Sequence, residues 1–375
     1  MNLLPNTRDW CYYEFGRLSF SFNPTMDALR FDPATKGLGV EKIPIPEIQN
    51  DDDVIVEVAY SGLCGTDLHI FKGEFPSSKV KYTPGHEYSG IVRAVGSEVK
   101  NVKVGDRVAC DPQRWCTTCK YCFTARYHHC VEGGVENATG IRHDGGFAQF
   151  SRIRSRVVHK LPDNISLKQG ALAEPISCVI WGLDRGFLPA PIGTQILLTG
   201  AGIIGNIWTA VLHHLGHRNV TVVEPSEIRR ELNKRMDTGY TVISPDELTQ
   251  RVKNENYAAD VAVDCSGNPR AIEQALSTLT YQGKLQIFGV APPQARVSIS
   301  PYEIFRKELT IVGSIINPWS FPRALGIMEA MSDRYLDYHK LGIEVFKLKD
   351  YQKALAVLDN STAAKVVFAI NPNLE

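Results

Sequence analysis

The chain has 375 residues, long enough for two domains and a sizeable buried core. Its 43% hydrophobic and 22% charged residues are the mix of a folded globular protein, and 30 glycines with 21 prolines exclude a coiled coil or helical repeat. Forty-one basic side chains balance 41 acidic ones, so no global charge draws the chain to nucleic acid or to an anionic membrane.

Residues 1–25 are rich in aromatics and carry Arg8, Asp9, Glu14 and Arg17. They lack the apolar stretch of a secretory signal, and their acids argue against a transit peptide, so they read as an N-terminal extension. From Met26 to about Ile180 short strands and turns are expected. Val54, Val56, Val58 and Tyr60 alternate with Ile55, Glu57 and Ala59, the pattern of a half-buried strand. Tyr88–Val95 and Asp106–Ala109 follow as strands, with Gly96 and Gly105 at their edges.

The character changes near Gly186–Gly193, where Pro189 and Pro191 mark a boundary. Strand Gln195–Thr199, helix Ile203–Leu215, strand Val220–Val223 and helix Ser226–Met236 come next, then strands Asp260–Asp264, Lys284–Val290 and Leu309–Val312. Strands alternating with helices at this spacing predict a mostly parallel sheet covered on both faces. Past Asn317, helices Pro322–Met331 and Tyr351–Asp359 lead to a last strand, Lys365–Ile370. Periodicity leaves open whether these late elements return to the first part of the chain. No run is long enough to cross a bilayer, so the expected location is the cytoplasm and no membrane partner is expected.

Gly200-x-Gly202-x-Ile204-Gly205 lies between a strand and a helix, and Glu224 ends the next strand nineteen residues after Gly205. This is a dinucleotide-binding fingerprint in its required setting. Gly200 allows the tight turn, Gly202 the approach of pyrophosphate and Gly205 the close helix–strand packing. Ile204 belongs to the same turn. Glu224 should accept from the adenosine ribose diol, favouring NAD; Arg229 and Arg230 keep NADP open.

The nine cysteines include four within fifteen positions, Cys116, Cys119, Cys122 and Cys130. Four thiolates at this spacing suit a closed tetrahedral Zn²⁺ site, with an iron–sulfur cluster as the alternative. A second metal-compatible set is Cys64 within Gly62–Asp67, His86 between Gly85 and Glu87, and Glu174 in Ala173–Pro175. On spacing alone, Cys64 could instead be a core thiol and His86 a loop histidine.

With these motifs in this order, the chain from about Met26 onward resembles the zinc-dependent medium-chain dehydrogenase/reductase family, and most closely its sorbitol and polyol dehydrogenase branch. The resemblance implies an α/β two-domain protein. Residues 26–185 and 320–375 would form a GroES-like, mainly β catalytic domain, and 186–319 a Rossmann-type coenzyme domain with a doubly wound parallel sheet. It places a catalytic Zn²⁺ on Cys64, His86 and Glu174, with an open position for substrate, and a structural Zn²⁺ on the four-cysteine lobe. Glu87 could instead approach the catalytic ion, and Cys178 is expected as packing.

The implied reaction is oxidation of a secondary hydroxyl to a ketone, with Thr66 relaying the proton and hydride passing to NAD. Cys265, Ser266, Val290, Ser314 and Ile316 are expected along the coenzyme rim. A polyol is the expected substrate, with Asp67, Glu87 and Arg323 as candidate contacts and Phe71, Phe75 and Trp319 as candidate walls. His69 is either beside the relay or on the surface. Butanediol, threonine and other secondary-alcohol dehydrogenases remain alternatives, as do an NADP-dependent carbonyl reductase and a non-catalytic coenzyme-binding protein. A homo-oligomer is expected, a tetramer before a dimer.

Overall fold

The computed structural model describes residues 24–187 and 190–375. Cys11, most of the N-terminal extension and Pro189 of the expected boundary lie outside the described residues.

Strands β1 (Thr25–Asp32) and β2 (Gly37–Pro44) form an antiparallel hairpin. β3 (Asp53–Leu63), β4 (Glu87–Val95), β5 (Arg107–Cys110), β6 (Phe150–Arg154) and β7 (Val158–Lys160) build a mainly antiparallel sheet. β8 (Ile196–Thr199), β9 (Val220–Val223), β10 (Thr241–Ile243), β11 (Ala259–Asp264), β12 (Leu279–Ile287) and β13 (Thr310–Gly313) form a separate all-parallel sheet in the order β10-β9-β8-β11-β12-β13. That order reverses between β8 and β11, and ligands of doubly wound sheets bind at such a switch point, beyond the carboxyl ends of the strands.

The late elements do return. β14 (Ile343–Lys347) pairs parallel to β15 (Lys365–Ala369), and β15 lies antiparallel to β3, with Val366 opposite Leu63 and Ala369 opposite Tyr60. Both ends of the chain therefore share one sheet, and the parallel sheet is the insertion between them.

Two expectations change in detail. β3 is buried on both faces rather than one. Val54, Val56 and Val58 pack with Val92, Val108 and Ile153, while Ala59 and Tyr60 join a second core with Leu167, Leu172 and Ile176. β12 ends at Ile287 rather than Val290, because the amides of Phe288 and Gly289 turn aside to donate to the Asp264 carbonyl.

The largest core spans both sheets. Ile196, Leu198 and Val263 of the parallel sheet meet Ile176 and Ile180 of helix Ala173–Gly182, and Leu325 and Met328 of helix Phe321–Tyr335. Helix Ala173–Gly182 is thus fixed between the two sheets, with Glu174 in its first turn and buried.

Candidate active site

Cys64 follows the last residue of β3 and N-caps helix Gly65–Lys72. Its sulfur accepts from the Thr66 amide at 3.5 Å, and its own amide donates to Asp67 Oδ2 at 2.9 Å, a reciprocal cap with sulfur in the usual place of a hydroxyl. The Thr66 hydroxyl is 3.6 Å from the same sulfur.

Asp67 is fully buried, and its other oxygen lies 3.5 Å from His86 Nδ1. The two are near enough for charge attraction but not aligned as a hydrogen bond. Burial opposes protonation of His86, but the Asp67 carboxylate and the Cys64 sulfur outweigh it and hold the imidazole well above its ordinary range. One buried carboxylate therefore orients both the cysteine and the histidine. Gly85, at φ +97°, precedes the histidine; a Cβ there would stand 2.5 Å from the Phe147 ring.

Glu87 opens β4, and a carboxylate oxygen of it, a ring nitrogen of His86 and Cys64 Sγ all lie within 4.8 Å of one another. The buried ammonium of Lys365 stands 2.5 Å from Glu87 Oε2. Burial works against that charge, yet Glu87 first and then Cys64 and Glu174 hold the Lys365 pKa up. Gly62 leaves room for the pair, since a Cβ there would come within 2.1 Å of Glu87 Oε2.

Glu174, expected as the third ligand, stands outside this three-atom group. Its Oε1 accepts from Cys178 Sγ at 3.4 Å. Burial raises its pKa to about 7, the Glu87 charge adds to that, and His86 and Lys365 work against it. Glu87 follows His86 directly and opens β4, whereas Glu174 lies in the first turn of a helix and is bonded by Cys178. Cys178 is accordingly a contact of the site rather than packing alone.

The residues fit a zinc ion. Thiolate, imidazole and carboxylate are its usual donors. His86 Nδ1 and Asp67 Oδ1 are buried without an aligned hydrogen bond among the described residues, and such groups ordinarily have a partner.

Cys116, Cys119, Cys122 and Cys130 also converge, with Cys122 Sγ 3.9 Å from Cys116 and 3.6 Å from Cys119. Bonds from Thr118 lower the Cys116 thiol to about 6, while burial lifts Cys122 to about 12. Such a mixed set becomes uniform when an ion takes all four as thiolates. Cys110 is a buried core thiol in β5, among Val108, Tyr88 and Val158.

At the coenzyme end, Gly200 has φ +95°, and Gly202 precedes helix Ile203–His214 with open space where a Cβ would stand. Gly205 packs so closely on the turn that a Cβ would meet the Gly200 carbonyl at 2.0 Å. Ile204 packs against the main core. This open cradle at a helix N-terminus fits a pyrophosphate. Glu224, 4% exposed, accepts from the Ala201 amide at 2.8 Å and the Ser226 amide at 2.9 Å. The carboxylate is thus fixed beside the glycine turn.

Arg229 is directed elsewhere: its Nη2 donates to Ser361 Oγ at 3.0 Å. Arg230 instead donates to the Glu224 and Pro225 carbonyls. Cys265 and Ser266 follow β11, and the Ser266 hydroxyl donates to Asp264 at 2.6 Å. Val290 follows β12, two-thirds exposed. Ser314 follows β13 and accepts from Gln286 at 3.1 Å, and Ile316 lies beyond it at φ +48°. All sit past the carboxyl ends of parallel strands, as expected of the coenzyme rim.

Several substrate candidates are engaged otherwise. Arg323 pairs with Asp184, His69 with Glu74, and Trp319 packs edge-on against Tyr127. Phe71 packs on Phe31, and Phe75 belongs to the same small core. Lys365 was not foreseen; its signal is a lysine heading the apolar run Val366–Ala369. A buried network was also missed. Asn317 donates to Ser177 Oγ at 2.7 Å and to Asp111 Oδ1 at 3.4 Å, and accepts from Gln113 at 2.7 Å. It ties the base of the cysteine lobe to the helix that carries Glu174. Burial first, and then the Glu174 charge, raises Asp111 to about 7.

Comparison with known proteins places the chain in a family. Residues 50–163 match the alcohol dehydrogenase GroES-like domain, and residues 204–330 match the zinc-binding dehydrogenase family. The chain is 31% identical over 354 residues to D-arabinitol dehydrogenase 1 of Uromyces fabae, covering 93% of this chain and 97% of that one. It is 29% identical over 352 residues to an L-threonine 3-dehydrogenase of Chromobacterium violaceum, covering 91% and 99%. A zinc-binding dehydrogenase structure from Sinorhizobium meliloti, bound to NADP, superposes with a TM-score of 0.83 at 28% identity, over 92% of this chain and all of that one. The chain belongs to the zinc-dependent medium-chain dehydrogenase/reductase family. It is an alcohol or polyol dehydrogenase using zinc and a nicotinamide coenzyme.

Proposed function

We propose that the enzyme reversibly oxidises a secondary hydroxyl of a polyol to a ketone with NAD. The observation that carries this reading is the convergence of Cys64, His86 and Glu87, with Glu174 buried beside them. These three would hold the catalytic zinc, and the four lobe cysteines a structural one. Bound zinc supplies Lewis acidity at the substrate oxygen, and the nicotinamide accepts the hydride. Thr66 stands next to the thiolate, placed to take the hydroxyl proton and pass it outward. Glu174, buried beside these ligands, is placed to hold a hydrogen bond to substrate or water.

Glu224 supports NAD, because a 2′-phosphate would approach a buried carboxylate. The polyol class rests on the D-arabinitol dehydrogenase relative, and the threonine dehydrogenase relative supports an amino alcohol as the second reading.

The test is metal content with activity. Two zinc ions per chain are expected, with Cys64→Ser and Glu87→Gln each removing one of them and abolishing turnover while NADH still binds. Full activity in both variants refutes the ligand set. A panel of polyols, diols and threonine with NAD and NADP separates the readings. A preference for NADP, or for threonine, overturns the corresponding choice.

We also infer a homo-oligomer, built through the open edge of the parallel sheet. β13 ends that sheet, and Phe305, Tyr302 and Tyr281 near it are 80%, 65% and 62% exposed. No helix among the described residues is long and apolar enough to cross a membrane.

A further inference from the structure

A cavity of about 640 Å³ lies in the first part of the chain, between the β1–β2 hairpin and β6. None of Cys64, His86, Glu87 or Glu174 lines it. Arg30, Arg114, Arg152 and Arg154 do, against the carboxylates Glu47, Asp53 and Asp144.

The carboxylates are largely committed. Asp53 Oδ2 accepts from the Gln49 amide, the Asn50 amide and Asn50 Nδ2 at 2.9–3.1 Å, and its Oδ1 is 3.5 Å from Arg154. Arg154 also pairs with Asp52, and Arg152 reaches Asp53 only at 3.8 Å. Asp144 is two-thirds exposed at the rim and pairs with Arg30 at 2.8 Å. Arg114 is left without an ion-pair partner among the described residues.

Its surroundings add to that imbalance. Burial, and then the charges of Arg154, Arg156 and Arg152, press the Arg114 pKa down, with the Asp53 charge working against them. A guanidinium does not deprotonate in proteins, so the fold retains a partly buried positive charge among others of the same sign. An anion in the cavity would relieve that repulsion. Arginine forks match the oxygens of a phosphoryl group in paired hydrogen bonds. The volume lies in the range of organic-ligand pockets and exceeds the need of a bare ion. Met26, Ile43 and Phe150 give it an apolar wall for the remainder of the molecule.

We propose that this cavity binds a small organic phosphate monoester, with Arg114 as its principal anchor, at a site separate from the zinc and coenzyme sites.

The probes are inorganic phosphate and phenyl phosphate, with phenol as the uncharged control. Each is titrated calorimetrically into the full-length, zinc-loaded enzyme saturated with NADH, so that the coenzyme's own phosphate cradle is filled. One saturable site is expected, tighter for phenyl phosphate than for phosphate and absent for phenol. Arg114→Gln should weaken it at least about tenfold, as expected for loss of a charge-assisted bond. Arg114→Lys, which keeps the charge but not the fork, should fall between them. NADH affinity should not change, and Tm in phosphate-free buffer should not drop in Arg114→Gln. Absence of saturable binding up to about 10 mM, a weak limit for a specific site, overturns the proposal. So does equal affinity in wild type, Arg114→Gln and Arg114→Lys.

Discussion

At the residue scale the site is a set of buried charges that balance one another. Cys64 and His86 are legible because metal ligands must be particular residue types, and their flanking glycines mark tight turns. The four lobe cysteines are legible for the same reason. Lys365 is not, nor is the part Asp67 plays, since each takes its meaning from a partner distant in sequence or from a cap made with sulfur. That Glu87 joins Cys64 and His86 in the converging group is likewise a matter of distance, which spacing does not report. Lys365→Met provides a direct test of this balance. Removing one member of a buried ion pair typically costs about 3–5 kcal/mol. The metal-free protein should lose stability on that scale in urea denaturation, because Glu87 is left buried and unpaired. With zinc loaded the loss should be smaller, since the ion takes over the carboxylate's charge. Equal losses with and without zinc would show that Glu87 does not face the metal.

At the element scale the parallel sheet was readable from alternation of apolar runs and helices, which marked five of its six strands; β10 (Thr241–Ile243) went unread and β12 begins at Leu279 rather than Lys284. The misses come from tertiary contacts. β3 looked half-buried because its polar alternation is real at Glu57, but a second core covers its other face. β12 stops early because Asp264 captures the next two amides. Packing between elements also sets a pH dependence. His159 of β7 stacks on Phe321 of helix Phe321–Tyr335 with ring centroids 4.8 Å apart, and burial lowers its pKa to about 4. Between the ordinary histidine value of about 6.5 and that lowered value, the unfolded chain binds the proton first, so stability falls as the solution is acidified. His143, His213 and His217 are shifted in the same direction, chiefly by burial. His159→Phe should remove about 1–2 kcal/mol of the stability lost between about pH 7 and pH 5, measured by denaturant midpoints. An unchanged loss would mean that His159 already titrates normally in the fold.

At the scale of the whole molecule, both ends of the chain close one sheet, and the parallel sheet is left with an unprotected edge. Periodicity could not show that return, because pairing of β15 with β3 joins segments some three hundred residues apart and leaves no local mark. The open edge has a consequence for assembly. β13 is four residues long, with Thr310 and Gly313 exposed at its ends, and its outer hydrogen-bonding groups face away from β12. Unpaired edges invite pairing with another chain, and two copies related by a two-fold axis would meet here antiparallel, continuing the sheet. Phe305, exposed on helix Pro301–Lys307, would then be covered along with Tyr302. Phe305→Glu should place a charge in that contact and lower the assembled mass in sedimentation velocity. Because residue 305 lies in a helix beside the sheet edge, far in sequence from the zinc ligands, NADH binding by the dissociated chain should persist. A wild-type chain that sediments as a monomer, or a variant whose mass is unchanged, would place any assembly on another face.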